Sequence, residues 1–149
     1  KEPRIQYSTF NARVESIATN ASFREPFRKR RCLIPANGFY EWRGTTRKRP
    51  YWLTPGEGSS LFFAGIWEAY PVEGHVWLST AVITQAAASQ RRPLILDEAG
   101  QQAWLDPQTP LQALQALLVS RPSRPMAWCS MRGIRTMTSS WSSPATSRW

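Results

Sequence analysis

Between Arg31 and Thr84 the chain runs through short blocks of apolar residues broken by polar turn clusters. "RCLIP", "FYEW", "PYWLT", "LFFAGIWEAY" and "VWLSTAVIT" are rich in aromatic and β-branched side chains, which suit a pleated, half-buried surface. "RGTTRKRP", "PGEGSS" and "PVEGH" separate several of them and carry the residues that turns demand. The gaps are too short for crossover helices, so the pattern predicts antiparallel strands linked by hairpins. "LFFAGIW" is nearly continuous apolar and predicts a central strand covered on both faces.

The flanks read as helical. Residues 11–31 look helical and basic, with Asn11 as the cap of a short turn. Ser22 and Glu25 are spaced as a capping box that opens a helix through "PFRKRR", with cations at the end where the helix dipole favours them. "DEAGQQAWL" has Asp97 as N-cap, and "TPLQALQALLV" has Thr109 as N-cap with Pro110 at the first helical position. Leu111, Leu114, Leu117 and Leu118 form one apolar stripe there, which reads as core. From about Pro122 the pattern stops. That stretch is rich in Ser, Thr and Arg and has neither strand nor helix period, so it reads as sequence not selected to fold. The expected organisation is an α+β domain over 1–121 and an atypical tail over 122–149, for which a shift of reading frame would account.

Composition narrows the classes. No apolar run approaches the roughly 20 residues of a membrane helix, and the N-terminus has no apolar signal segment; a cytoplasmic protein without membrane partners is expected. Cys32 and Cys129 make neither a disulfide framework nor a zinc site, and the single histidine, His75, sits in the turn "EGHV". No metal and no cofactor is expected. Phosphate-loop, dinucleotide and nucleophile-elbow motifs are absent.

Charge changes the picture most. Nineteen Lys and Arg against ten Asp and Glu give a net charge of +9, accompanied by eight Trp, four Tyr and six Phe. Most of the cations are arginines, which suit bidentate phosphate contact and stacking. Cations that follow a backbone and rings that stack on bases compose a single-strand binder. A basic protein-interaction domain has the same composition.

"FNARVES", "SFREPFRKRRCLIP" and "NGFYEW", with "FFAGIWE", "VITQAA", "RRPLIL" and "AWL" after them, resemble in order the SOS-response-associated peptidase (SRAP) family. The resemblance spans about 95 residues, beyond the reach of a lone short motif. It implies a β-rich α+β fold of mostly antiparallel sheets forming a barrel-like core, with a few flanking helices and a positively charged cleft for single-stranded DNA. It implies a role in the DNA-damage (SOS) response. It implies an N-terminal cysteine that condenses with the aldehyde of an abasic site to give a thiazolidine DNA–protein crosslink. It also implies removal of short N-terminal segments by the same apparatus, a peptidase or hydrolase activity.

By motif match Asn11 orients the N-terminal residue or the sugar, and Glu41 is the general acid/base of ring opening and Schiff-base formation. Arg13, Arg91, Arg92 and Trp42 are DNA contacts. Glu41 shares a strand face with Phe39, while Tyr40 and Trp42 point the other way. A proton-transfer carboxylate gains from such partial desolvation; a structural ion pair with an arginine such as Arg13 is the alternative. Asn11 has its helix-cap reading, Arg13 that of a solvated charge, and Cys32 that of a small buried strand residue.

Three departures stand beside the match. The sequence opens on "KEPRIQYSTF", which resembles the middle of a family member, so the cysteine nucleophile is expected to be missing. Ser89, in "TQAAASQRRPLIL", falls where the family has its catalytic histidine. The tail replaces the family's ending. The expectation is therefore an abasic-site-binding protein, bacterial nucleoid-associated or phage-encoded, whose alternative is a degenerate, non-catalytic DNA-binding remnant. Homodimerisation through exposed strand surface is also expected.

Overall fold

A computed structural model describes residues 10–44, 46–55, 59–87, 90–120 and 127–130. Eight strands and three short helices follow in the order β1 (Asn11–Arg13), α1 (Arg24–Lys29), β2 (Arg31–Ala36), β3 (Phe39–Arg43), β4 (Arg49–Thr54), β5 (Leu61–Val72), β6 (His75–Ala87), β7 (Gln90–Pro93), α2 (Glu98–Leu105), α3 (Leu111–Leu118) and β8 (Ala127–Ser130). The fold is β-rich α+β, as the sequence predicts. The barrel-like core is not a closed barrel: the strands form two sheets. One has the order β1-β6-β5-β2 with β7 also on β6, and the other has the order β3-β4-β8.

The five apolar blocks became β2 to β6, and the three neighbouring pairs β2–β5, β3–β4 and β5–β6 are antiparallel. "LFFAGIW" lies at the centre of the larger sheet, between β6 and β2. Leu61, Phe63, Ala64 and Ile66 are buried in it. Gly65 is required where it stands, because a Cβ there would meet Cys32 Sγ and Ile34 Cδ1 at 2.9 Å. The β5–β6 turn has positive φ at Glu73 and Gly74, the geometry of a tight hairpin. Beyond Trp67 this hairpin runs on past its neighbours and exposes Tyr70, Val76, Trp77 and Leu78.

Trp104 explains how the helices attach. Its ring is fully buried and packs on Phe27 of α1 at 5.9 Å between centroids. Its Nε1 donates to the carbonyls of Cys32 and Gly65 at 3.0 and 3.2 Å, tying α2 to the β2–β5 pair. Arg31 clasps the same region, donating from Nε to Trp104 O at 2.6 Å and from Nη2 to Asp106 O at 2.8 Å. Ala12, Ile17, Ile66, Ile83, Leu94 and Leu114 complete this core.

The helical readings hold in part. Asp97 caps α2, accepting from Gly100 N at 2.9 Å. Ahead of α3 the boundary moves by one: Pro110 is the N-cap, and Thr109 Oγ1 instead donates to Ala103 O at 2.7 Å. Leu114 and Leu118 bury the stripe, whereas Leu111 stays exposed. The capping box fails, since α1 begins after Phe23 and no side chain caps it; Arg28 and Lys29 do end it as expected. Residues 11–13 are a strand, not a helical turn, because β6 offers them a parallel partner. Four residues of the stretch after Pro122, Ala127–Ser130, pair with β4; the rest of that stretch lies outside the described residues.

Candidate nucleic-acid interface

The interface begins where two strands part. As far as Val82, β6 pairs with β5. Past that point the segment after β7 takes the place beside β5, with Ala64 N donating to Leu94 O at 2.8 Å and Leu96 N to Phe62 O at 3.0 Å. β6 meanwhile pairs with β7 and, in parallel, with β1. The fork opens a cavity of about 470 Å³ lined by Asn11, Arg13, Phe63, Val82, Thr84, Arg91, Arg92 and Pro93.

Strand alternation decides which side chains reach it. In β1 only Ala12 is buried, together with its register partner Ile83. Asn11 and Arg13, one residue to either side, therefore face the other way, beside Val82 and Thr84. Four of the six residues singled out in the sequence, Asn11, Arg13, Arg91 and Arg92, thus meet on one cavity.

Its arginines are not equivalent. Arg91 donates from Nε to Thr84 Oγ1 at 3.0 Å and from Nη2 to Thr84 O at 2.6 Å. It also grips Glu15 bidentately, Nη1 to Oε1 at 3.2 Å and Nη2 to Oε2 at 2.7 Å. Four of its five N–H groups are spent, so it has one left for a ligand. The hydrogen bond from Arg91 holds the Glu15 carboxyl below the usual carboxylate range. Arg92 reaches Gln85 Oε1 at 3.5 Å from Nη2, and its buried Nε has no partner among the described residues. The side chains of Asn11 and Arg13 make no hydrogen bond or ion pair among the described residues; they bring a neutral amide and a guanidinium fork to the cavity.

Glu41 and Trp42 are not among the lining residues. They sit on β3, in the smaller sheet. Contacts among the described residues join that strand to the surroundings of the cavity. Phe39, on the Glu41 face, meets Phe63 edge to face at 5.9 Å, and Trp42 N donates to Gln90 Oε1 at 3.3 Å, next to Arg91. The Glu41 side chain is largely buried, 16% exposed, and its ion pair is with Arg43 at 3.8 Å, not with Arg13. Tyr40 and Trp42 are half exposed on the opposite face.

Cys32 is half-buried in β2, and burial pushes its thiol up, which suits an inert strand residue. His75 is exposed at the start of β6. Ser89 lies outside the described residues. Among the described residues no three His, Cys, Asp or Glu side chains gather to hold a metal, and no helix is long and apolar enough to cross a membrane. Sequence reasoning passed over Glu15, although it closes the motif "NARVE". It also passed over Thr84 and Gln85, two buried polar residues whose only trace was a polar end to an apolar strand.

The family model of the SOS response associated peptidase (SRAP) matches residues 1–133. The chain is 33% identical over 129 residues to the abasic site processing protein YobE of Bacillus subtilis, an alignment covering 80% of the chain and 59% of YobE. It is 33% identical over 128 residues to the abasic site processing protein YoqW of Bacillus phage SPbeta, covering 79% and 57%. A crystal structure of a protein from Bacteroides thetaiotaomicron superposes with a TM-score of 0.75 at 28% identity, covering 83% of the chain and 59% of that protein. The chain therefore spans under three-fifths of the length of these relatives. Its ordered motifs, its β-rich fold and these matches agree, and the chain belongs to the SOS response associated peptidase family.

Proposed function

We propose that the forked cavity holds single-stranded DNA at an abasic site, and that the protein acts in the processing of such lesions during the DNA-damage response. The observation that carries this reading is the convergence of Asn11, Arg13, Arg91 and Arg92 on one cavity in a chain of net charge +9. Phosphates are the ligands that three guanidinium groups fit best. Arg13, whose side chain makes no hydrogen bond or ion pair among the described residues, takes a phosphate directly. Arg91 is fixed by Glu15 and Thr84 and contributes mainly its field and one N–H. The Asn11 amide, both donor and acceptor, suits the hydroxyls or aldehyde of a sugar that has lost its base.

Glu41 is the proposed proton donor and acceptor of the covalent step. It protonates the ring oxygen as the sugar opens to the aldehyde, takes a proton from the attacking α-amine of a family-type N-terminal cysteine, and returns it to the carbinolamine hydroxyl, which leaves as water when the Schiff base forms. Phe39 against Phe63 holds its strand to the cavity wall. A second reading, DNA binding without covalent chemistry, is favoured by the position of Glu41 outside the cavity lining.

One experiment separates the two. The chain is joined to a family-type N-terminal segment beginning with cysteine, incubated with abasic single-stranded DNA and resolved on a denaturing gel. The covalent reading expects a heat-stable adduct, formed about a hundred- to ten-thousand-fold more slowly by Glu41→Gln with equilibrium binding retained. No adduct, or one formed at the same rate by Glu41→Gln, leaves only the binding reading. No preference for abasic over intact strands would overturn the lesion assignment itself.

A further inference from the structure

The face of the β3–β4 hairpin turned away from Glu41 carries a group of aromatic rings that the cavity does not use. Tyr40 and Trp52 are register partners, with ring centroids 4.8 Å apart, and Tyr40 lies 6.2 Å from Trp42. Tyr40 and Trp42 are 50% and 47% exposed, a large apolar area for two adjacent surface rings. The Trp52 ring rests on Gly38, where a Cβ would come within 2.5 Å of it. The glycine of "NGFYEW" thus gives the ring room to approach the backbone. Such a ring is pre-oriented and loses little freedom when something stacks on it.

Charge gathers at the hairpin end beyond the rings. Arg43, Arg47, Lys48 and Arg49 lie within seven residues there. Arg43 and Arg49 are register partners on the Glu41 face, where Arg43 pairs with Glu41 at 3.8 Å; Arg47 and Lys48, in the turn between the strands, are exposed. A polyanion that carries flat apolar groups fits both features of the hairpin.

We propose that this hairpin is a second contact for single-stranded DNA, with a base stacked on the exposed face of Tyr40, which Trp52 backs at an angle of 59°, and the adjoining phosphates on the cations at its tip. The inference rests on the reading of the cavity as a DNA site and extends it to the flanking nucleotides. β3 is the edge strand of its sheet and is bonded to Gln90, next to Arg91 of the cavity, so a strand that leaves the cavity on the Gln90 side passes along this edge. Stacking is indifferent to sequence because every base has a π-face. The contact therefore adds affinity for the strand around a lesion without a preference for its bases.

The test uses oligothymidylates of about 4 and about 16 nucleotides, the limits of site size for single-strand-binding folds, titrated against the full chain and its variants. Tyr40→Ala is expected to weaken binding of the longer strand by about five- to a hundred-fold and to leave the shorter unchanged. Tyr40→Phe, which keeps the ring, retains wild-type affinity for both. Arg13→Ala weakens both lengths alike. Equal wild-type affinity of Tyr40→Ala for both lengths overturns the second contact and leaves the cavity reading standing. An equal loss at both lengths overturns it too, since the effect then lies in the cavity or the fold. A loss confined to Tyr40→Ala, with Arg13→Ala inert, overturns the cavity reading and keeps the hairpin contact. A wild-type chain that binds neither strand overturns both.

Discussion

The two sheets carry different parts of the candidate interface and are held in different ways. The five-stranded sheet bears Asn11, Arg13, Arg91 and Arg92. It is backed by a core of twelve buried residues, with Trp104 pinned by two hydrogen bonds. The three-stranded sheet bears Glu41 and Trp42, and Leu53 is the residue it buries among those described. Among the described residues, Phe39 packed on the cluster of Leu61, Phe63 and Ile95 and a hydrogen bond from Trp42 N to Gln90 Oε1 tie β3 to the larger sheet. Residues proposed to bind thus stand on the sheet with the larger core, and the residue proposed to move protons stands on the smaller sheet, joined to it through Phe39 and Trp42. Binding and chemistry should be separable by mutation.

Damage to the larger sheet should be the most severe. Trp104→Ala removes a fully buried ring and leaves the carbonyls of Cys32 and Gly65 without their donor. The expected cost is about 3–5 kcal/mol, enough to abolish a cooperative melt in a domain of ordinary stability; circular dichroism checks it. Leu53→Ala should leave that melt cooperative and chiefly loosen β3 and β4. Hydrogen exchange should then show those strands opening well before β5 and β6.

Next in size is the separation itself. Phe39→Ala removes the ring that meets Phe63 without touching the cationic wall. In the cysteine-bearing form, crosslinking should slow by about a hundred-fold, the effect of a small misplacement of a catalytic group. Affinity for single-stranded DNA should stay within a factor of two or so of wild type, since Phe39 touches the apolar wall at Phe63 and none of the arginines that would hold phosphate. Equal losses in rate and affinity would show that the two sheets act as one body.

The Glu15–Arg91 pair gives the smallest effect. The folded carboxyl is held low by its hydrogen bond to Arg91. Its contribution is therefore complete above the ordinary carboxylate range and is lost as pH falls through the depressed value. Glu15 is half exposed, so solvent keeps the contribution within about 1 kcal/mol. Glu15→Gln should melt slightly below wild type at neutral pH, and the gap should close on acidification. A gap that widens in acid would contradict the assignment.

Legibility from sequence follows the range of the forces involved. The Asp97 cap was readable because its partner, Gly100 N, is three residues away. The central strand was readable because seven apolar residues in succession leave little choice. Asn11–Arg13 was not readable as a strand, since three residues show no period and their partner in β6 lies some seventy positions on. At the interface, motif resemblance named Asn11, Arg13, Arg91 and Arg92, and the fold gathered them. It could not reveal that Glu15 and Thr84 occupy most of Arg91. That grip joins residues 76 positions apart and depends on where β6 leaves β5. The same long-range geometry kept Glu41 off the cavity lining, although it stands in the most recognisable motif of the chain.

The central claim is that the cavity of the larger sheet is where DNA phosphates are held, with Arg13 as the direct contact. Its most direct test is the salt dependence of single-stranded DNA binding by wild type and Arg13→Ala, followed by fluorescence anisotropy. Each lost phosphate contact on a single strand lowers the slope of log K against log salt by about 0.7. The account predicts that decrement for Arg13→Ala, with affinity reduced by a similar factor for every sequence tried. Unchanged slope and affinity in Arg13→Ala, beside a salt-sensitive wild type, would place the DNA elsewhere on the protein.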